Sequence, residues 1–226
     1  MTRTGVAVML ALSVASVGTG FGGFGGLASF VDFKGLSRRL TELNTGDPPD
    51  KGWGGSEAFR LKAPQLWLSG HGAGFVRDFT VGGGGALTAR QDRADSVRAE
   101  FGAGTGFFEV GYCYSPIEYL WVRPCAQLSA AAWTSYVHSR ESFSEPNFSR
   151  WFLGWAVGAM PGLELMGRLP YGFRRYVGLY VKGGYLLPFM NPRWYGDEDP
   201  PSFELKGWSI EAGVRFGRMP PRSIRI

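Results

Sequence analysis

Cysteine and histidine are nearly absent from this chain of 226 residues. It has two of each: Cys113, Cys125, His71 and His138. That is too few for a persuasive zinc site or for the dense disulfide framework of a small secreted scaffold. Charge is sparse too. Charged side chains make up 19% of the chain, below the roughly 25% usual for soluble domains. No run of Lys and Arg with interleaved aromatics offers a nucleic-acid face, so DNA and RNA are set aside. Long apolar runs are also missing. The richest beyond the N-terminal region, Trp151 to Leu163, is broken by Gly154, Gly158 and Pro161, whereas a spanning helix needs about 20 mainly apolar residues. A chain of this kind can enter a membrane only as a closed barrel, because an open sheet edge leaves backbone groups unpaired in lipid.

Glycine and aromatics are abundant: 35 residues are Gly, and Phe, Trp and Tyr make up 15%. The formal charge is +5, and much of it sits at chain ends and turns, at Arg168, Arg174, Arg175, Arg218, Arg222 and Arg225. Such placement suits an anionic lipid headgroup. At the start, Arg3 precedes an apolar stretch from Val6 to Val17 and then small residues, the pattern of an export signal over residues 1–18 with cleavage after Ala15 or Gly18. The alternative, an uncleaved anchor helix, is opposed by the glycines that recur from Gly18 to Gly26. Gly20-x-Gly22-x-x-Gly25 matches the dinucleotide-binding string, but it follows an export signal instead of opening a βα unit.

Period-two alternation dominates the rest of the chain. From Tyr176 to Leu187 one phase reads Val177, Leu179, Val181, Gly183, Tyr185, Leu187, and its opposite contains Gly178, Lys182 and Gly184. From Gly207 to Phe216, Trp208, Ile210, Ala212, Val214 and Phe216 oppose Ser209, Glu211, Gly213 and Arg215. Such alternation marks a sheet with two unlike faces. Similar segments lie at 19–27, 63–76, 79–90, 97–112, 120–135 and 148–165, predicting eight strands in all. The phase changes near Phe107-Phe108, where a bulge is expected. Leu36, Leu40 and Leu43 have helical spacing before the stop signal Thr45-Gly46-Asp47-Pro48-Pro49, predicting one short amphipathic helix over 34–44. Connections alternate between short and long, with long segments at 28–62, 136–147 and 188–202.

Glycine indicates which face is inside. It gains nothing in water, but a narrow barrel needs small residues within. The phase that carries the glycines also carries Arg90, Arg98, Glu100, Lys182, Glu211 and Arg215, a candidate polar network in the lumen. The opposite phase of the last two strands is free of charge, and a charge there would cost about 2–4 kcal/mol at the bilayer midplane. His71 fits a hydrogen-bonding role in the lumen. Cys113 and Cys125 flank the turn at Ser115–Tyr119, and a disulfide or two free thiols satisfy the spacing equally.

The fold expected is therefore all-β: an antiparallel up-and-down barrel of about eight strands over 19–217, one short helix after the first strand, and a basic tail over 218–226. The chain resembles the small eight-stranded outer-membrane β-barrel proteins of bacteria. The most specific part is the strand from Gly207 to Phe216, since an amphipathic last strand ending in an aromatic is what the barrel insertion machinery of that class reads. The resemblance implies an outer-membrane location, lipid and the insertion machinery as partners, and an unknown partner at the extracellular loops. The expected role is structural or loop-mediated binding, without catalysis, metal or cofactor. Two other readings remain open: a soluble lipocalin-like carrier of an apolar ligand, and a lipid-modifying barrel enzyme centred on His138 with Ser135, Ser139 and Glu141.

Overall fold

Alternation with period two becomes strand almost everywhere that the chain is described. The computed structural model describes residues 19–31, 38, 41, 64–94, 97–139, 149–171, 175–190, 193–196 and 206–218. Ten strands run through them: β1 (Gly20–Ser29), β2 (Gln65–Val76), β3 (Phe79–Ala94), β4 (Val97–Tyr112), β5 (Tyr114–Ile117), β6 (Leu120–Ser139), β7 (Ser149–Tyr171), β8 (Arg175–Pro188), β9 (Arg193–Gly196) and β10 (Gly207–Arg218). Eight of them form the wall, in the order β6-β4-β3-β2-β1-β10-β8-β7, and pairing of β6 with β7 closes the circle. Every pairing is antiparallel. The short β5 lies along β6 past the end of β4, and β9 lies along β7 past the end of β8. The architecture is the all-β, eight-stranded barrel that the alternation predicts. The helix expected over 34–44 falls almost entirely outside the described residues, where only Arg38 and Thr41 are described, both helical. The export signal and the tail beyond Arg218 also lie outside them.

The two ends of the barrel differ. At one, strands meet in the short connections at Arg77-Asp78, 113–119 and 172–174, and the wall's first and last residues, Gly20 and Arg218, pair there. This is the turn end. The long connections leave from the other, the loop end.

The faces are inverted relative to a water-soluble protein. Leu66, Leu68, Phe108, Val110, Leu163, Leu165, Val177, Leu179, Val181, Trp208 and Ile210 all lie exposed on the outside, Leu179 at 71%. Arg123, Glu164 and Arg215 are among the most buried side chains, at 1% or less. A soluble lipocalin-like barrel would carry the opposite order. The apolar outer phase of β8 extends from Val177 to Leu187. That is about 33 Å along a strand, or about 25 Å of height at a tilt near 40°, the height of the apolar band on outer-membrane barrels.

The bulge expected at Phe107-Phe108 is absent. The registers of β4 against β3 and β6 continue unbroken through both residues. The sequence phase changes because the lumen changes character along its axis. Phe101, Ala103 and Phe107 face inward among apolar neighbours, and two residues further on the same face carries buried Glu109. Gly102 and Gly104, expected inside, therefore belong to the outward phase.

Inward glycines make room for the largest inward side chains. A Cβ on Gly84 would lie 2.6 Å from His71 Cβ, and one on Gly23 would lie 2.8 Å from Arg215 Cγ. By contrast, nothing lies within 4 Å of a Cβ on outward Gly106. Gly84→Val is expected to lower unfolding stability by about 1–3 kcal/mol through overpacking, whereas Gly106→Val leaves it unchanged or raised. Urea unfolding of the reconstituted barrel, followed by tryptophan fluorescence, checks both.

Candidate functional site

The lumen is built in three layers. The lowest, at the turn end, is an aromatic plug. Phe21, Phe75, Trp121 and Tyr176 form a chain of edge-to-face contacts with ring centroids 5.7, 5.5 and 5.1 Å apart. These residues are inside because each shares the inward phase of its strand. Arg168 closes the plug from below: its guanidinium carbon lies 4.7 Å from the Trp121 ring, and Nε donates to Glu118 O at 2.5 Å.

Above the plug lies a layer of buried charge. Arg123 on β6 donates from Nη2 to Glu109 on β4 at 2.5 Å and to Glu164 on β7 at 2.7 Å, and from Nη1 to Thr80 at 3.1 Å. Lys182 pairs with the other oxygen of Glu109, and Arg215 with the other oxygen of Glu164. Arg215 Nε also donates to His71 Nε2 at 2.7 Å. Because that nitrogen accepts, the His71 proton belongs on Nδ1, which lies 3.5 Å from Glu211 Oε1. The same carboxylate oxygen takes the hydroxyls of Ser69 at 2.6 Å and Tyr180 at 2.8 Å. Three acids and three bases thus alternate across the lumen around a neutral histidine. Arg215 is held between the rings of Phe21 and Tyr180, 4.4 and 4.5 Å from their centroids.

The third layer, towards the loop end, is a cavity of about 110 Å³. Its walls are Leu27, Ala86, Ala103, Ala131, Ala156 and Leu186 with Phe107, Trp67 and Trp133, and its floor includes Gln127 and Glu211.

Of the residues expected in the lumen network, the structure brings Lys182, Glu211 and Arg215 together. It does not place Arg98 or Glu100 there. Both lie on the outward phase of β4 near the loop end, half-exposed and bonded to each other at 2.8 Å, with Arg98 also bonded to Gln91 at 2.7 Å. Arg90 keeps the inward phase but sits near the loop end of β3, opposite Phe101 and away from the charged layer. The change of phase in β4 that lacks a bulge explains why residue type alone puts Arg98 and Glu100 on the wrong face. Alternation by itself also passes over Glu109, Arg123 and Glu164. Each is a lone charge between two apolar neighbours, Phe108 and Val110, Val122 and Pro124, Leu163 and Leu165. A solitary inward charge in an apolar run is the signal that finds them.

Cys113 and Cys125 are free thiols. Cys125 faces Gly111 across the β4–β6 pair, and the Cys113 N–H donates to Asp78 O at 2.8 Å, so the hairpin register does not set the cysteines opposite each other. Cys113 lies between strands, and burial pushes its thiol up to about 12. It therefore stays protonated at neutral pH and is a poor nucleophile. His138 is in β6, with its backbone opposite Arg98 and Ser149; its side chain and the Glu141 expected beside it lie outside the described residues. Phe216 is exposed on the outer face, paired with Gly22 and Val177.

No family model matches the chain, and no curated protein does. Among solved structures it is similar to the outer membrane protease OmpT from Escherichia coli, at 10% identity and a TM-score of 0.40, over 89% of this chain and 97% of that one. The fold itself is a closed, eight-stranded antiparallel barrel with an apolar outer face. The expectation that the chain is not an enzyme is withdrawn: a matching solved structure is a protease, and at this identity and TM-score the likeness speaks neither for nor against catalysis here. The likeness is one of fold and transfers no activity.

Removing one partner from a buried ion pair costs about 3–5 kcal/mol, because the other charge is left uncompensated. Glu164→Ala leaves Arg123 and Arg215 facing one another and is expected to fall in that range. Glu100→Ala, at the half-exposed rim, should stay within about 0.5 kcal/mol. Equilibrium unfolding of the two variants in the same lipid separates the layer from the rim.

Proposed function

We propose that the protein resides in an outer membrane, is held there by its barrel, and acts at its loop end by binding a partner. The observation that carries this reading is the inverted order of faces: an apolar outer band around a core of buried, paired charges. Lipid replaces water as the neighbour of that band. The ion-pair layer and the aromatic plug beneath it block the lumen, so the barrel anchors and does not conduct. What is left to meet the exterior is the loop end, where the long connections leave the wall. Export through the segment 1–18 and assembly by the insertion machinery, which would read the strand ending in Phe216, belong to the same reading.

Cells expressing the full chain are expected to yield it in the outer-membrane fraction, with a band whose gel migration shifts on boiling. Recovery in the soluble periplasm would overturn the proposal. In planar bilayers the folded protein should give no steady conductance; a stable open channel would remove the sealed-lumen part. Phe216→Ala should lower the fraction of heat-modifiable protein in the membrane and increase the unassembled pool, as read on the same gels.

A further inference from the structure

The wall of the barrel has an interrupted seam beside the cavity. Along β7 and β8, pairing continues from Tyr171↔Arg175 to Gly162↔Gly184, lapses at Met160 and Pro161, and resumes at Ala159↔Leu187 and Gly158↔Pro188. The register is the same on both sides of the lapse, so no residue has been inserted. Pro161 has no N–H to give, and proline in a sheet removes a ladder hydrogen bond. On its other side Pro161 remains opposite Ala126 of β6, so only the β7–β8 seam is weakened there.

The lapse coincides with the cavity. Met160 and Leu186, the inward residues at the lapse, both line it, as do Gly158 and Pro188 just beyond. Met160 lies over Gly184, where a Cβ would be 2.8 Å from its Cγ. The outer surface flanking the seam is Leu163, Leu165, Val181 and Leu187, all exposed and all within the apolar band. Four of the wall hydroxyls are engaged by the wall itself: Thr105 donates to Ala130 O at 3.1 Å, Ser129 to Gly158 O at 3.3 Å, Ser69 to Glu211, and Ser209 to Met160 Sδ at 2.9 Å. Most of the remaining lining is apolar side chain. An engineered apolar cavity of about 150 Å³ stays dry and takes a benzene ring, so a space of about 110 Å³ suits a few methylenes.

We propose that this cavity takes the end of a hydrocarbon chain of a membrane lipid, entering sideways through the β7–β8 seam at Pro161. The occupant is a lipid chain because the seam faces the lipid band and the cavity offers it an apolar wall. The charged layer below sets how far it enters. Met160, on its flexible stem over Gly184, is the side chain that moves aside, giving up the weak bond its sulfur accepts from Ser209. This inference rests on the membrane reading above.

The test uses the full barrel in phosphatidylethanolamine–phosphatidylglycerol vesicles that contain a phospholipid with a diazirine near one chain terminus. After illumination, adducts are mapped by mass spectrometry. Adducts on inward Ala103, Phe107, Ala131 or Met160 are expected together with adducts on outward Leu163 and Leu179. Ala131→Phe, which fills the cavity, and Pro161→Val, which restores an N–H to the seam, should each bring the inward adducts to background. Outward adducts and the heat-modifiable band should persist in both. Outward adducts without inward ones in the unaltered protein would overturn the proposal. Inward adducts that survive Pro161→Val would overturn entry through the seam. Absence of the outward adducts would instead overturn the membrane placement beneath it.

Discussion

A charge buried in a narrow barrel must be met by its opposite within a few ångströms, and the rest of this molecule is arranged around that constraint. Arg123 and Arg215 reach Glu164 from two sides, Glu109 is shared between Arg123 and Lys182, and His71 links Arg215 to Glu211. Six strands supply these groups. No single hairpin contains a complete set, so the network forms only when the wall is closed. It therefore favours one strand order and one register over the alternatives, a specificity that the apolar outer surface cannot provide by itself. Glycine has a linked role. Gly23, Gly84 and Gly111 are small where Arg215, His71 and Arg123 are large.

The fold was legible because the last two strands alternate cleanly and because their glycine-bearing phase also carries the charges. Val177 to Leu187 and Trp208 to Phe216 can be assigned to the outer face from residue type alone. The strand over 97–112 cannot. Its inward face is apolar beside the cavity and polar beside Glu109, so a rule that equates apolar with outside reverses halfway along. A bulge is the wrong explanation for a change in what the lumen contains. The site was legible only in part for the same reason. Lys182, Glu211 and Arg215 stand in strands of consistent phase, whereas Glu109, Arg123 and Glu164 are single charges whose partners are at least 14 residues away. Their meeting depends on registers that local pattern does not encode.

The lumen also divides its tasks along its axis. Aromatic edges seal the turn end, paired charges hold the middle, and small apolar residues leave space above. Sealing and hosting are thereby separated: the layers that stop water are not the layer that has room. Catalysis is not excluded by the barrel form, and the two histidines occupy different regions of it. His71 is fixed between Arg215 and Glu211 inside, and the His138 backbone lies near the loop end.

The wall is of unequal height. β6 and β7 stay paired from Leu120↔Gly167 to His138↔Ser149, 19 successive pairs, whereas β10 pairs with β8 over 12. At about 3.3 Å per residue the difference is about 23 Å of ribbon. β3 and β4 rise with them, paired up to Ala94↔Val97 and Val97↔Ser139, so the projection is a multi-stranded flap clamped at its base. A load applied at its tip is delivered as a bending moment to the strands at its root, and β7 borders the interrupted seam with β8.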